Sequence, residues 1–148
     1  MTHQKWTDRI KAWSADCEFF APALWADVTS AEEKLSVRFP DELRQFLFES
    51  NGLHGEYGLG LVWPVERIVK DNLRFRENVQ FQELYMPFDP WLFFGDAGNG
   101  DQFAFSILKG EIRRPDVFAW NHEDDSRQRV ASSLAKYLES SLNGTMKF

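Results

Sequence analysis

Apolar residues recur along this chain with two different periods, and the period changes at identifiable turn residues. Trp91-Leu92-Phe93-Phe94 runs into Gly95-Asp96-Ala97-Gly98-Asn99-Gly100-Asp101. The chain then leaves as Gln102-Phe103-Ala104-Phe105, followed by Ser106, Ile107 and Leu108. Apolar runs bounded by such turn residues predict two strands of one sheet. Asn99-Gly100 is a strong local turn signal, because both residues accept positive φ at low cost. Leu61-Val62-Trp63, preceded by Gly55, Gly58 and Gly60 around Tyr57 and Leu59, predicts another strand. Asp116 to Trp120 predicts a third run of this kind after Pro115, and Lys109-Gly110-Glu111 reads as a turn.

Helical spacing dominates both ends. Trp6, Ile10 and Trp13 lie on one face of a short helix that stops before Ala21-Pro22. Ser30-Ala31-Glu32-Glu33 resembles a capping box, predicting a short helix from Ser30 that ends before Phe39-Pro40. Pro40 opens the next helix, with Asp41 and Glu42 in the first turn and Phe39, Leu43, Phe46 and Leu47 as the buried stripe. Ser50-Asn51-Gly52 ends it. Pro64 begins a further helix, with Val65, Ile68, Val69 and Leu73 inward and Arg67, Lys70 and Arg74 as a solvated basic stripe. Pro87 and Pro90 make residues 75–90 read as irregular or extended. Asn121 to Arg127 reads as a polar loop, and the last helix as starting near Ser126. Its apolar face is Val130, Leu134, Tyr137, Leu138 and Leu142, and Asn143-Gly144 stops it.

Strands in the middle with helices at the ends predict an α+β fold: one domain over residues 1–148, with a central, largely antiparallel sheet flanked by N- and C-terminal helices. Residues 1–27 read as a helical N-terminal extension. At 43% hydrophobic residues in 148, the chain has enough apolar surface for one core. Its net charge of −6 argues against general binding to nucleic acid or an anionic membrane, and suits a basic protein partner. Cys17 is the single cysteine, which precludes an intrachain disulfide and reads as a small buried side chain. No secretory signal is evident, and no apolar run approaches the roughly 20 residues that span a bilayer, so the reading is a cytoplasmic protein.

Candidate chemistry concentrates in two stretches. Gly95 to Gly100 has a G-x-x-G-x-G spacing, lacks a following Lys-Ser/Thr pair and leads into a strand, so it does not fit a phosphate loop. Asp96, Asn99 and Asp101 miss the calcium-loop pattern, and the expectation is that short Asp and Asn side chains bind their own turn backbone. His122-Glu123-Asp124-Asp125 lacks the His pair of a helical zinc site. No serine elbow or Cys–His signature appears. The expectation is therefore no catalytic residue, no metal and no cofactor.

The order of these pieces resembles the SUKH superfamily, which includes the fungal Smi/Knr cell-wall-assembly regulators and many bacterial immunity proteins. The pieces are Phe39-Pro40-Asp41-Glu42-Leu43, Ser50-Asn51-Gly52, Leu61-Val62-Trp63-Pro64, Phe94 to Asp101, and Val117 to Glu123, followed by the C-terminal helix. The resemblance covers roughly residues 28–142; the segment through Pro22 lies outside it, and Phe75 to Pro90 departs from it. It implies an α+β binding module, not an enzyme: an intracellular immunity protein that neutralises a polymorphic or contact-dependent toxin by direct binding. The alternatives are a Smi/Knr-type regulatory or scaffold protein with several partners, and an enzyme or metal protein centred on His122. The partner would be a toxin domain, with no nucleic acid and no membrane. Glu123, Asp124 and Asp125, with Asp96 and Asp101 at the rim of the turn, are the candidate partner-binding residues. Gly95, Gly98, Asn99 and Gly100 are the candidate structural turn. Replacing Glu123, Asp124 and Asp125 with Ala should slow toxin association and leave the thermal midpoint nearly unchanged.

Overall fold

Helices and strands alternate irregularly, and the computed structural model describes residues 5–146. In chain order the elements are α1 (Trp6–Trp13), β1 (Glu18–Phe19), α2 (Trp25–Leu35), α3 (Asp41–Glu49), β2 (Leu53–His54) and β3 (Gly60–Val62). They continue with α4 (Val65–Glu77), α5 (Val79–Leu84), β4 (Trp91–Asp96), β5 (Gln102–Ser106), β6 (Val117–Trp120), β7 (Arg127–Ala131) and α6 (Leu134–Leu142). Every strand pairing is antiparallel, so the α+β reading holds. The strands form two sheets, β1-β2-β3 and β4-β5-β6-β7, where one central sheet was expected.

A register break joins them. The β4–β5 pairing shifts between Phe93 and Gly95, which leaves Phe94 out of the ladder. Its carbonyl accepts from Trp63 N at 2.7 Å instead, so the bulge turns one strand toward the other sheet. Next to it, the Tyr137 hydroxyl donates to Leu61 O at 2.7 Å. Burial pushes the Tyr137 phenol well above its ordinary pKa, and the Asp96 charge adds to this, so the hydroxyl stays protonated as a donor. A Cβ on Gly95 would overlap Leu61 O and lie 2.8 Å from the Tyr137 oxygen.

Both faces of the four-stranded sheet are covered. Phe94 and Phe103 lie edge-on to Tyr137 of α6 at 5.2 and 4.7 Å, and Phe105 stacks on Phe94 at 4.6 Å. On the other face Phe75, Phe88, Phe93 and Trp120 pack at 5.1–6.1 Å. Such aromatic pairs add about 0.5–1.5 kcal/mol each beyond area burial. Asn72 of α4 extends the sheet edge: its amide donates to Phe93 O and accepts from Phe93 N, both at 2.8 Å. Trp6 and Ile10 of α1 are buried, so the described part of the N-terminal segment belongs to the same core.

Four expectations are corrected. First, α2 begins at Trp25, so Ser30 lies inside the helix and caps nothing; burial of Val28, Ala31 and Leu35 overrides the local cap signal. Second, residues 75–84 are helical, not irregular: α4 runs to Glu77, and the Asn78 side chain caps α5 by accepting from Phe81 N at 3.0 Å. Third, the region after Ser126 is the strand β7, because Arg127 to Ala131 pair with β6; α6 starts only after Ser133, whose hydroxyl accepts from Lys136 N. Fourth, Cys17 is half-buried and not buried. Burial raises its thiol pKa and Asp16 adds to that, against an opposing hydrogen bond with Ser14, which disfavours the thiolate.

Gly95→Ala should lower stability by about 2–4 kcal/mol in denaturant melts, since a rigid carbonyl and a buried phenol must both move. Gly110→Ala, at φ +78° with open space around it, should cost only about 1 kcal/mol. Equal losses at both positions would refute the importance of the close approach.

Candidate interaction surface

Three connections meet at one end of the structure: Gly55–Leu59, Ala97–Asp101 and Asn121–Ser126. Glycine lets them touch. The Leu59 side chain lies 3.3 Å from where a Gly98 Cβ would stand, and the His122 ring 2.8 Å from where a Gly100 Cβ would stand. Both glycines have positive φ, +95° and +98°, as turn chemistry demands. Asn99 behaves as a turn residue, its side-chain oxygen accepting from Asp101 N at 3.0 Å.

The five candidate acids divide by what they already hold. Asp96 takes a two-pronged interaction from Arg67, at 2.8 and 3.1 Å, and a bond from Gln102 Nε2 at 3.2 Å. Arg67 also donates to Asp71 and lies 4.1 Å from the Trp63 ring centroid, so it is not part of a solvated stripe. Lys70 and Arg74 are exposed, as expected. Burial works against the Arg67 charge, but hydrogen bonds to Asp96 and Asp71 outweigh it and raise its pKa. Asp101 is buried; its Oδ1 accepts from His122 N at 3.1 Å and shares a hydrogen bond with His122 Nδ1 at 2.6 Å.

Asp125 is equally committed. It sits at φ +61° and accepts from Trp120 Nε1 at 2.8 Å, Arg127 at 2.9 Å and Met86 N at 2.9 Å. Burial would raise its pKa, yet these bonds and the Arg127 charge bring it below the ordinary carboxylate range. Arg127 completes the clasp by donating to the Met86 and Pro87 carbonyls. The three-acid loop therefore does not act as one unit. Asp124 is exposed and accepts from Ser126 N at 2.9 Å; this bond lowers its pKa. Glu123 is exposed, and among the described residues no hydrogen bond engages its carboxylate.

The end formed by these connections also carries residues that sequence reading missed. Tyr57 is wholly exposed at φ +58°, next to exposed Glu56. Gly55 and Gly58 around it were the available signal, since they mark a tight turn that projects its central residues. Tyr85 and Met86 reach the same end, with the Tyr85 hydroxyl donating to His122 O at 3.2 Å. Leu84 and Met86 are exposed there. Among the described residues, no three or more His, Cys, Asp or Glu side chains converge to hold a metal ion. His54 pairs with Glu18 at 3.5 Å, away from His122, and His3 lies outside the described residues. The site is thus a surface of turns with an exposed aromatic ring and three exposed acids, anchored by buried and half-buried ones.

A family model described as SUKH_6, SMI1-KNR4 cell-wall, matches residues 26–138. The chain belongs to this SUKH family. The match takes in every element from α2 onward up to the first half of α6, including all three connections at the acidic end. It also spans residues 75–90, where sequence reading found a departure. No curated protein matches the chain. Among the described residues, no helix of this SUKH protein is long and apolar enough to cross a membrane.

Asp125→Asn should destabilise the fold by about 1–3 kcal/mol, because the Trp120 and Met86 N–H groups lose a charged acceptor. Because the folded-state pKa of Asp125 is depressed, its contribution is fully present above the unfolded value and lost as pH falls through the folded one. The gap between wild type and Asp125→Asn should therefore narrow below about pH 4. Asp124→Asn should leave the midpoint nearly unchanged. Thermal melts between pH 3 and 7 test both, and a pH-independent gap would remove Asp125 from this role.

Proposed function

We propose that this SUKH domain is a non-enzymatic, cytoplasmic binding module that neutralises a basic toxin domain by direct stoichiometric binding. The observation that carries this reading is the end formed by the three connections. It carries the exposed Tyr57 ring and Glu56 on one connection and exposed Glu123 and Asp124 on another, with Asp96, Asp101 and Asp125 held in place between and beneath them by their own bonds. Exposed acids on a chain of net charge −6 accelerate encounter with a basic surface. An aromatic side chain with little conformational freedom sets the residence time. Asp96, Asp101 and Asp125 take part by holding the turns, and Asp124 and Glu123 by meeting the partner.

The cell-wall term in the family description favours a second reading, a regulatory or scaffold module of the Smi/Knr type with several partners. Quantitative pull-down from the native cells separates the two. One stoichiometric partner carrying a toxin domain supports neutralisation; several substoichiometric partners of signalling or cell-envelope type support the scaffold.

With the captured toxin domain, the double substitution Glu123→Ala and Asp124→Ala should slow association severalfold at low salt, with the difference fading at high salt. Tyr57→Ala should speed dissociation about tenfold. Neither change should move the thermal midpoint, because all three side chains are exposed. Unchanged association and dissociation rates would move the interface elsewhere.

A further inference from the structure

The segment from Phe20 to Ala26 is apolar throughout, and all of it except Ala23 is exposed. Phe20 is 38% exposed, Leu24 66% and Trp25 64%. These three side chains present roughly 350 Å² of apolar surface, and exposed Ala21, Pro22 and Ala26 bring the face to roughly 500 Å². Trp25 is held in place there: it stacks on Phe48 at 5.5 Å with planes 18° apart, under the Arg44 guanidinium at 4.8 Å. Beside this projection, Phe20 and Ala21 form one wall of a cleft of about 460 Å³, closed by Asn51, His54 and Pro64 and lined mainly by apolar atoms.

We infer that this face is a homodimer interface, in which Leu24 and Trp25 of each copy occupy the cleft of the other around a two-fold axis. A projection and a recess on one segment complement each other when the face meets a copy of itself. Covering it on both copies would bury roughly 1,000 Å², the size at which specific association begins. Around the face Arg44 pairs with Glu32 at 3.4 Å, and salt screens the repulsion left between exposed Glu18, Asp27 and Glu66 of the two copies. The inference stands apart from toxin binding, because Glu123, Asp124 and Tyr57 belong to a different set of loops.

Sedimentation equilibrium of the full chain tests it. Wild type should dimerise with a dissociation constant on the order of 10 μM, as an interface of this size allows. Leu24→Asp and Trp25→Ser should each weaken the dimer at least tenfold from the side of the projection. Ala21→Glu should do the same from the cleft. The double substitution Glu123→Ala and Asp124→Ala should leave it intact. Far-ultraviolet circular dichroism confirms that each variant is folded. Wild type that stays monomeric up to about 100 μM, or a dimer indifferent to all three substitutions, would overturn the inference.

Discussion

The close approach of β3 to β4 is the constraint on which the other arrangements depend. Leu61 O reaches into the space above Gly95, where any larger residue would collide, and it accepts from the buried phenol of Tyr137 on α6. Three parts of the chain far apart in sequence are thereby held at one point. The bulge at Phe94 follows from the same geometry, since a strand that bends toward Trp63 must leave its own ladder for one residue. A buried carbonyl without a partner would cost about 1–3 kcal/mol, so Tyr137 is specified for its hydroxyl as much as for its ring.

From that point the acidic end is built outward. Asp96 ends β4 and is held by Arg67 from α4; Asp101 precedes β5 and is held by His122 from the connection after β6. Asp125 then fastens the segment around Met86 through Arg127. Each carboxylate is partly or wholly removed from water, and each receives charged or backbone donors that offset the desolvation. The result is a rigid base, with the solvated acids Glu123 and Asp124 set on top of it. Rigidity there matters for binding because ordering a loop at the moment of association subtracts from affinity.

Basic residues show the same division. Arg67, Arg76 and Arg127 are used internally: Arg76 donates to Leu35 O and Trp91 O, and burial lowers its pKa. With Arg67 and Arg127 turned inward, the acidic end exposes less positive charge than its residue types imply. The apolar segment from Phe20 to Ala26 presents a different chemistry, so the surface carries two separate kinds of contact.

Much of the fold was legible in the chain because local signals and burial agree there. Pro40 and Asn51-Gly52 bound α3, Asn99-Gly100 closes the β4–β5 turn, and Asn143-Gly144 ends α6, each through backbone preferences that act within a few residues. Where tertiary contacts overrode local preference, the sequence was silent or misleading. Ser30-x-x-Glu33 has the form of a cap but lies inside α2, and Val130 has helical spacing with Leu134 but joins a strand because β6 offers a ladder. The candidate acids were identifiable as a set by their residue types and turns. Their roles were not, since whether a carboxylate is anchored or solvated depends on donors contributed from distant segments: Arg67, Trp120, Met86 and His122. The sequence by itself determined the α+β class, the family and the turn chemistry. Tertiary structure alone decided which acids face water, because desolvation and hydrogen bonding are set by what packs beside a group and not by its neighbours in the chain.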